Sequence, residues 1–222
     1  MEKDLVMKVK CFVNQRDFSC NVFVCSDDKG AFIVDLGYYD SEINKYLSSL
    51  PELKFVLQTH GHFDHIMGLD SFSKDFPDVP VYIHEQEVDV ALNPTNNGSM
   101  GMLYAPVSPQ ISFKTLKEGM YRLCDYDFKV IHTPGHTKGS CMFFFKDQKI
   151  LFTGDTIIET SIGRTDLPTG DEAALFRSLE KFKKISFDDD VEVYFGHGTS
   201  FSYKELMKHN SFFKIKRITR KV

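Results

Sequence analysis

Tryptophan is absent from this chain of 222 residues, and cysteine is scarce. The five cysteines form no Cys-x-x-Cys pair and are odd in number, so neither a disulfide framework nor a thiolate metal site is indicated. We expect buried or inert thiols in a reducing cytosol, and we predict a cytoplasmic protein. Because tryptophan is missing, the 21 phenylalanines and the branched aliphatic residues must fill most of the core.

Long apolar runs and an excess of positive charge are absent as well. The densest apolar run covers only residues 141–145, far fewer than a membrane-spanning helix needs, and the first residues show no signal peptide. A formal net charge of −4 creates no basic field for nucleic acid or an anionic membrane. The basic residues between Lys214 and Lys221 are typical of a solvated terminus or helix end. We therefore expect neither nucleic acid nor a membrane as a partner.

Apolar segments of strand length alternate with helical patterns, and no linker or internal repeat divides the chain. We therefore predict a single domain over residues 1–222. A turn at residues 27–30 joins two early strands as an antiparallel hairpin. This mixture favours β-sheets packed face to face with helices outside. Strands are predicted at residues 7–13, 20–25, 31–35, 54–59, 79–83, 128–131, 140–145, 150–152 and 191–195, and helices at residues 40–50, 85–92, 171–185 and from 203 to 209.

A cluster of three histidines and one aspartate directly follows the strand at residues 54–59, in the segment Thr59-His-Gly-His-Phe-Asp-His65. Alternate residues of an extended segment point the same way, so His60 and His62 can present their imidazoles to one ion. Asp64 and His65 follow where the chain turns, and they can address a second point nearby. The alternative is a polar loop with chance histidines, but charged and polar groups this dense are hard to bury without a metal or a counter-charge.

Three further residues of the metal-ligand type follow a common pattern of strand, glycine and ligand. His136 follows Gly135, Asp155 follows Gly154, and His197 follows Gly196. Taken singly, each could be a capping aspartate or a surface histidine. Together with the cluster they place seven candidate ligands at successive strand ends, which indicates a metal centre rather than packing.

These motifs, which lie between positions 59 and 198, resemble those of the metallo-β-lactamase fold hydrolases. Within that family the chain is most similar to glyoxalase II, the hydroxyacylglutathione hydrolases, through residues 133–140, Ile162-Gly-Arg-Thr-Asp166 and Gly196-His-Gly198 with the helix after it. The resemblance implies an α/β fold, an αββα sandwich of two mixed β-sheets with helices outside. It also implies that one metal is held by His60, His62 and His136, the other by Asp64, His65 and His197, and both by Asp155.

The resemblance further implies a metal-dependent hydrolase that cleaves a small thioester such as S-lactoylglutathione. The expected cofactors are two divalent ions, with zinc favoured, and iron and manganese accept the same ligands. A hydroxide shared by the two metals would attack the acyl carbonyl, and Asp64 would act as a ligand that also helps to orient it. No serine or cysteine nucleophile is required.

The sequence departs from glyoxalase II in three places. Asp35-Leu-Gly37 replaces the usual Asp-Pro-Gly, and Phe195-Gly-His-Gly198 replaces Pro-Gly-His-Gly. Glyoxalase II also carries a C-terminal helical domain that helps to bind glutathione, and we expect this chain to work without one. A persulfide dioxygenase, a lactonase or other esterase, a nuclease and a non-catalytic binding module are the alternatives. The seven candidate ligands argue against the binding module, and the absence of a basic surface argues against the nuclease.

Several other polar residues are assigned structural roles. His132 is expected to pack near the site without binding metal, and His84 and His209 are expected to be structural or solvated. Arg164 and Asp166 either form an ion pair that ties their loop down or contact the substrate. Residues 93–101 have the composition of a turn and are a candidate rim of the pocket.

Overall fold

Two six-stranded β-sheets form the centre of the structure, a computed structural model that describes residues 7–14 and 19–214. The strands of the first sheet lie in sequence order: β1 Lys8–Phe12, β2 Val22–Ser26, β3 Ala31–Val34, β4 Leu53–Gln58, β5 Val81–His84 and β6 Phe113–Leu116. The next strands in the chain are β7 Gly119–Leu123, β8 Tyr126–His132, β9 Cys141–Phe145, β10 Ile150–Gly154, β11 Ile157–Ile158, β12 Ser161–Ile162, β13 Glu192–Phe195 and β14 Phe201–Ser202. The second sheet has the order β14-β13-β10-β9-β8-β7, and β11 pairs with β12 as a separate ribbon.

Both sheets are mixed, as predicted. In the first sheet β1, β2 and β3 pair antiparallel, whereas β3, β4, β5 and β6 run parallel. In the second sheet the pairs from β7 to β10 are antiparallel, and β10 is parallel to β13. The amide of Asp27 donates to the carbonyl of Gly30 and closes the predicted hairpin turn between β2 and β3.

Helices cover the outer face of each sheet, which gives the predicted αββα arrangement. The first sheet carries α1 Ser41–Leu47, α2 Phe63–Ile66 and α3 Leu69–Asp75, whose buried residues pack against Val24, Ile33 and Val56. Two short helices follow, α4 Val88–Leu92 after a 3-10 turn at Glu85–Glu87 and α5 Ser99–Met102. The second sheet carries α6 Glu172–Lys183 and α7 Tyr203–His209, and α8 Ser211–Lys214 follows.

Phenylalanine fills the space between the two sheets, as the lack of tryptophan predicts. Phe32 of β3 stacks on Phe55 of β4, with ring centroids 5.1 Å apart, and on Phe145 of β9, with centroids 4.9 Å apart. All three rings are buried. Truncating such a ring to alanine typically costs about 3–5 kcal/mol of folding free energy because the cavity does not fully collapse.

The predicted strands and helices are confirmed, with small changes at their ends. Asp40 caps α1, which is one of the two caps that the sequence predicts, and Asp171 caps α6 and does not begin it, since each side chain accepts from backbone amides of the first turn. Helix α1 ends at Leu47, before the predicted residue 50. The sequence did not predict β6, β7, the β11–β12 ribbon, β14, α2, α3, α5 or α8. Cys11 and Cys124 are exposed, whereas Cys20, Cys25 and Cys141 are buried.

Two expectations concern residues outside the described part. The N-terminal segment and the basic residues after Lys214 belong to residues 1–6 and 215–222, so their interpretation stays a prediction. Among the described residues, no helix is long and apolar enough to cross a membrane.

Candidate metal centre

All seven predicted ligand residues lie together where four strands end at the same edge of the sandwich. The cluster from His60 to His65 follows β4, whereas His136, Asp155 and His197 follow β8, β10 and β13. Strands β8, β10 and β13 run in the same direction, so their carboxyl ends meet at one edge of the second sheet. The amide of Cys141 donates to the carbonyl of Thr59 across 3.0 Å and joins the two sheets at this edge.

The imidazoles of His60, His62 and His136 form the first ligand group. Nδ1 of His62 lies 2.8 Å from Nε2 of His136, and that atom lies 3.2 Å from Nε2 of His60. All three side chains are buried. Three imidazole nitrogens gathered within 4.8 Å are a set that could hold one ion.

Hydrogen bonds on the far sides of the rings determine where two of these histidines carry their protons. Thr59 donates its hydroxyl to Oδ2 of Asp35, so its oxygen can only accept from Nδ1 of His60 at 3.1 Å. Nδ1 of His136 lies 2.8 Å from the carbonyl of Arg164, which is an acceptor only. Nε2 of His60 and Nε2 of His136 therefore carry no proton in the neutral rings, and their lone pairs face each other across 3.2 Å. A cation between them removes this repulsion.

Asp64, His65 and His197 form the second ligand group. Oδ2 of Asp64 lies 3.1 Å from Nε2 of His197 and 3.8 Å from Nε2 of His65. Asp64 and His65 lie in the short helix α2, and the ring of His65 lies 4.0 Å from that of His60, measured between centroids, so the two ligand groups are adjacent. These three residues also offer ligand atoms within 4.8 Å of one another.

Asp155 lies between the two groups and faces both. Its Oδ1 is 3.4 Å from Nε2 of His65, and its Oδ2 is 3.7 Å from Nε2 of His136 and 3.5 Å from Nε2 of His197. A carboxylate in this position can share its two oxygens between two ions.

The pKa directions favour neutral rings in the first ligand group. Burial lowers the pKa of His60 well below its usual range and that of His62 to about 3, because a charged ring is costly without water. Burial also lowers the pKa of His136.

The pKa directions in the second ligand group are opposite. Burial opposes protonation of His65 and His197, but neighbouring acidic groups outweigh it and raise the pKa of both rings. Burial also opposes ionisation of Asp155, but the neighbouring histidines, His65 first, outweigh it and hold the pKa of Asp155 well below its usual range. Because neutral imidazoles and ionised carboxylates are the forms that bind metal, His65 and His197 would have to release a proton when an ion binds.

Two observations show that the arrangement fits metal ions. The buried atoms Nε2 of His65 and Oδ1 of Asp155 have no hydrogen-bond partner among the described residues, and such orphans are costly without a partner. At Gly196 a β-carbon would lie 2.0 Å from Oδ1 of Asp155 and 2.8 Å from Cε1 of His65. Glycine therefore keeps the backbone of β13 close to the ligand groups, where any side chain would collide with them.

Asp35 is a buried residue of the site that the sequence reasoning missed. Its Oδ1 accepts from the amide of Thr59, and its Oδ2 accepts from the hydroxyl of Thr59 and lies 3.0 Å from Nδ1 of His65. Outer partners of this kind fix the ring orientation of a metal-binding histidine. Asp35 directly follows β3, so the pattern of an acidic residue at a strand end could have identified it.

The sequence profile of the metallo-beta-lactamase superfamily matches residues 16–197, which are more than half of the chain. The chain belongs to the metallo-β-lactamase superfamily. It is 32% identical over 199 residues to a probable metallo-hydrolase of Streptococcus pyogenes, across 87% of this chain and 85% of that protein. The hydroxyacylglutathione hydrolase GloC of Haemophilus influenzae is 27% identical over 196 residues, across 87% of this chain and 92% of that protein.

Solved structures of the metallo-β-lactamase superfamily share the architecture. The BLEG-1 B3 metallo-β-lactamase matches with a TM-score of 0.83 at 31% identity, across 94% of this chain and 100% of that one. A protein crystallised in a di-iron-bound form matches with a TM-score of 0.77 at 27% identity, across 90% of this chain and 98% of that one. The predicted metallo-β-lactamase fold is therefore confirmed.

A cavity of about 390 Å³ opens in front of the two ligand groups. Its floor includes the ligand residues themselves, and its walls are largely apolar. The walls are formed by Phe63, Met102, Ile158, Ser161, Ile162, Arg164 and Leu167. Larger grooves occur elsewhere on the surface, for example along α6, but the ligand residues do not line them.

The remaining polar candidates are only partly resolved. The rings of His84 and His132 stack with centroids 4.2 Å apart, and His209 is exposed. Arg164 forms two bonds of 2.7 Å to Asp166, which is one of the two predicted alternatives. Arg164 also lines the cavity, so its contact with a substrate stays a prediction.

The segment at residues 93–101 is anchored by the buried Asn97. None of these nine residues lines the cavity, whereas Met102 directly after them does. A role of residues 93–101 as the rim of the pocket therefore stays a prediction.

Proposed function

We propose that this protein is a binuclear metal-dependent hydrolase that cleaves small thioesters of the S-lactoylglutathione type. The observation that supports the proposal most directly is the 3.2 Å distance between two unprotonated nitrogens, Nε2 of His60 and Nε2 of His136. Their tautomers are fixed from behind, so no proton of the neutral rings lies between them, and a cation is the natural occupant.

Each of the two ligand groups is assigned one of the two proposed ions. The first ion would be held by His60, His62 and His136, the second by Asp64, His65 and His197, and Asp155 would contribute to both. Zinc suits a mixture of imidazole and carboxylate, and iron or manganese would also fit it. When bound, such ions would polarise an acyl carbonyl and lower the pKa of a bound water to about 7.

The protein side chains would orient the attacking water and bind the acyl group. Oδ2 of Asp64 lies 3.1 Å from Nε2 of His197, and its carboxylate can accept a hydrogen bond from an attacking water and so orient it. The apolar walls at Phe63, Ile158 and Ile162 offer a dry surface for the uncharged part of an acyl group. Since water is the nucleophile, the reaction needs no serine or cysteine attack.

The similarity to GloC of Haemophilus influenzae supports thioester hydrolysis, because that protein is named for this activity. The di-iron-bound relative supports two ions in this arrangement and keeps iron as a second choice of metal. Hydrolysis of a β-lactam amide is the second candidate function, favoured by 31% identity to a B3 metallo-β-lactamase along 94% of this chain.

Turnover of S-D-lactoylglutathione by the zinc-loaded protein is the decisive experiment. We expect hydrolysis that His60→Ala abolishes, since that variant loses one of three imidazoles of the first group. His209→Ala, which changes an exposed histidine outside the site, is the matched control and should keep full activity. Equal rates for wild type and His60→Ala would contradict the proposal. Turnover of a β-lactam but of no thioester would select the second candidate.

A further inference from the structure

Glu87 is a completely buried carboxylate outside the seven ligand residues. It ends the 3-10 turn that leads into α4. Glutamate is almost never fully buried unless its charge is satisfied. Its position therefore needs partners that stabilise both of its oxygens.

The two oxygens of Glu87 accept hydrogen bonds from two different loops. The amide of Gly61 donates to Oε2 over 2.6 Å, and the amide of Gly139 donates to Oε1 over 2.6 Å. The side chain of Thr137 supplies a third hydrogen bond. Burial raises the pKa of Glu87 to about 7, and these three hydrogen bonds favour its ionised form. Bonds from N–H groups to an ionised oxygen are short and about twice as strong as neutral ones.

Both loops carry ligands of the first group. Gly61 separates His60 from His62, and Gly139 lies three residues after His136. The first loop follows β4 of one sheet, and the second connects β8 to β9 of the other. One carboxylate therefore spans the two loops that must approach each other for three imidazoles to meet.

The side chain of Glu87 is tightly packed. A β-carbon at Gly139 would lie 2.9 Å from both Cγ and Oε1 of Glu87. A β-carbon at Gly61 would lie 2.7 Å from the amide nitrogen of Ala91 in α4. Both loops are thus packed directly against the segment that presents the carboxylate.

We propose that Glu87 is a positioning residue, which sets the separation of the two loops and so brings His60 and His62 within reach of the ion that His136 also binds. This inference rests on the proposed binuclear site. It concerns the affinity and geometry of the first ion and requires no particular substrate.

Glu87→Gln is the direct test because it keeps the shape and replaces one oxygen by an NH₂ group. The N–H of Gly61 or of Gly139 would then face the new NH₂ group, so two donors would face each other and one hydrogen bond would be lost. Loss of an outer partner of metal ligands typically weakens binding about 10–100-fold, and we expect a loss of that size for the first ion. Cobalt(II) binding to the purified full chain, followed by absorbance and by competition with a chelator, measures both affinity and ligand geometry.

Glu85→Gln is the matched control. Glu85 lies in the same 3-10 turn but is partly exposed and pairs with Lys117 at 3.1 Å. We expect wild-type cobalt affinity and an unchanged spectrum in this variant. Equal behaviour of the two variants, whether both bind normally or both bind weakly, would overturn the proposal.

Two further measurements keep the test decisive. If Glu87→Gln does not fold, Glu87→Asp is used. Its shorter side chain cannot reach both amides, so this variant should also bind the first ion more weakly. Wild-type affinity in a folded Glu87→Asp protein would then reject the proposal. Absence of cobalt binding by the wild type would instead refute the binuclear site itself, so the two failures are distinct.

Discussion

Individual hydrogen bonds behind the candidate ligands fix the orientation of their side chains. Asp35 shows this most clearly, because it adopts a left-handed backbone conformation with φ of 54° and is almost fully buried. From there its carboxylate reaches Thr59, which accepts from His60, and also His65. A single carboxylate thereby orients one histidine of each ligand group.

Replacing Asp35 by asparagine should weaken the binding of both proposed ions. The new NH₂ group would face the donors of Thr59 or His65, so the rings would lose their fixed tautomers. We expect zinc affinity to fall about 10–100-fold, measured by competition with a chromophoric chelator. Asp190→Asn, which removes an exposed partner of Lys149 at the opposite end of β10, is the control. Unchanged zinc affinity in Asp35→Asn would contradict this role.

Met102 should contribute to binding of the apolar part of a substrate. It lines the cavity and is 47% exposed. In Met102→Gln we expect KM for an S-butyryl thioester to rise about fivefold, equivalent to about 1 kcal/mol, with kcat little changed. Met120→Gln changes another exposed methionine, on β7, and should leave both constants unchanged. A fall in kcat alone would argue against a binding role.

At the scale of strands and helices, burial decided which elements the sequence predicted. The central strands β2, β3, β9 and β10 are continuous apolar runs with almost every residue buried. The missed strands β6 and β7 are largely exposed. Pairing with neighbouring strands forms them, so their sequences contain no apolar pattern that predicts a strand. The missed helix α2 is four residues long and consists partly of ligands, which hides its helical spacing.

The candidate site shows the same limit. The seven ligand-type residues could be predicted because each is a histidine or aspartate at a strand end. Glu87 could not, because it lies within an ordinary helical pattern and its partners are the backbone amides of residues 26 and 52 positions away. Every residue except proline has a backbone N–H, so the sequence at the two partner positions does not reveal such contacts.

His84 should make the stability of the protein depend on pH. Its Nδ1 accepts from the amide of Gln86 at the start of the 3-10 turn, which requires a neutral ring. Burial and then the neighbouring His132 lower its pKa to about 4. Since the ordinary value is about 6.5, the unfolded chain binds more protons between these values. The contribution of His84 is therefore complete above pH 6.5 and is lost as the pH falls towards 4.

We test this with His84→Asn, whose oxygen can replace Nδ1 as the acceptor without titrating. Urea unfolding at pH 7 and pH 5 should show a smaller loss of unfolding free energy in this variant than in the wild type. His209→Asn, at an exposed histidine, should lose as much as the wild type. An identical loss in all three proteins would show that His84 does not contribute.

At the scale of the whole molecule, the ligands come from both sheets, so bound ions should stabilise the fold. Zinc at about 100 times its Kd should add about 2.7 kcal/mol. For a chain of this size that corresponds to a rise of about 5–10 °C in Tm, measured by calorimetry before and after chelation. His136→Ala should respond less, since it lacks a ligand of the first group. A zinc-independent Tm in the wild type would argue against occupancy of both sites.

The two sheets are also consecutive in the chain, because β1 to β6 end at Leu116 and β7 begins at Gly119. A cut between them would separate His60, His62, Asp64 and His65 from His136, Asp155 and His197, which leaves each proposed ion with ligands on both fragments. The apolar core between the sheets already favours association of peptides covering residues 1–117 and 118–222, and zinc should tighten that association, which chelation should then weaken. The enzyme would then behave as two half-proteins whose association is strengthened by the metal.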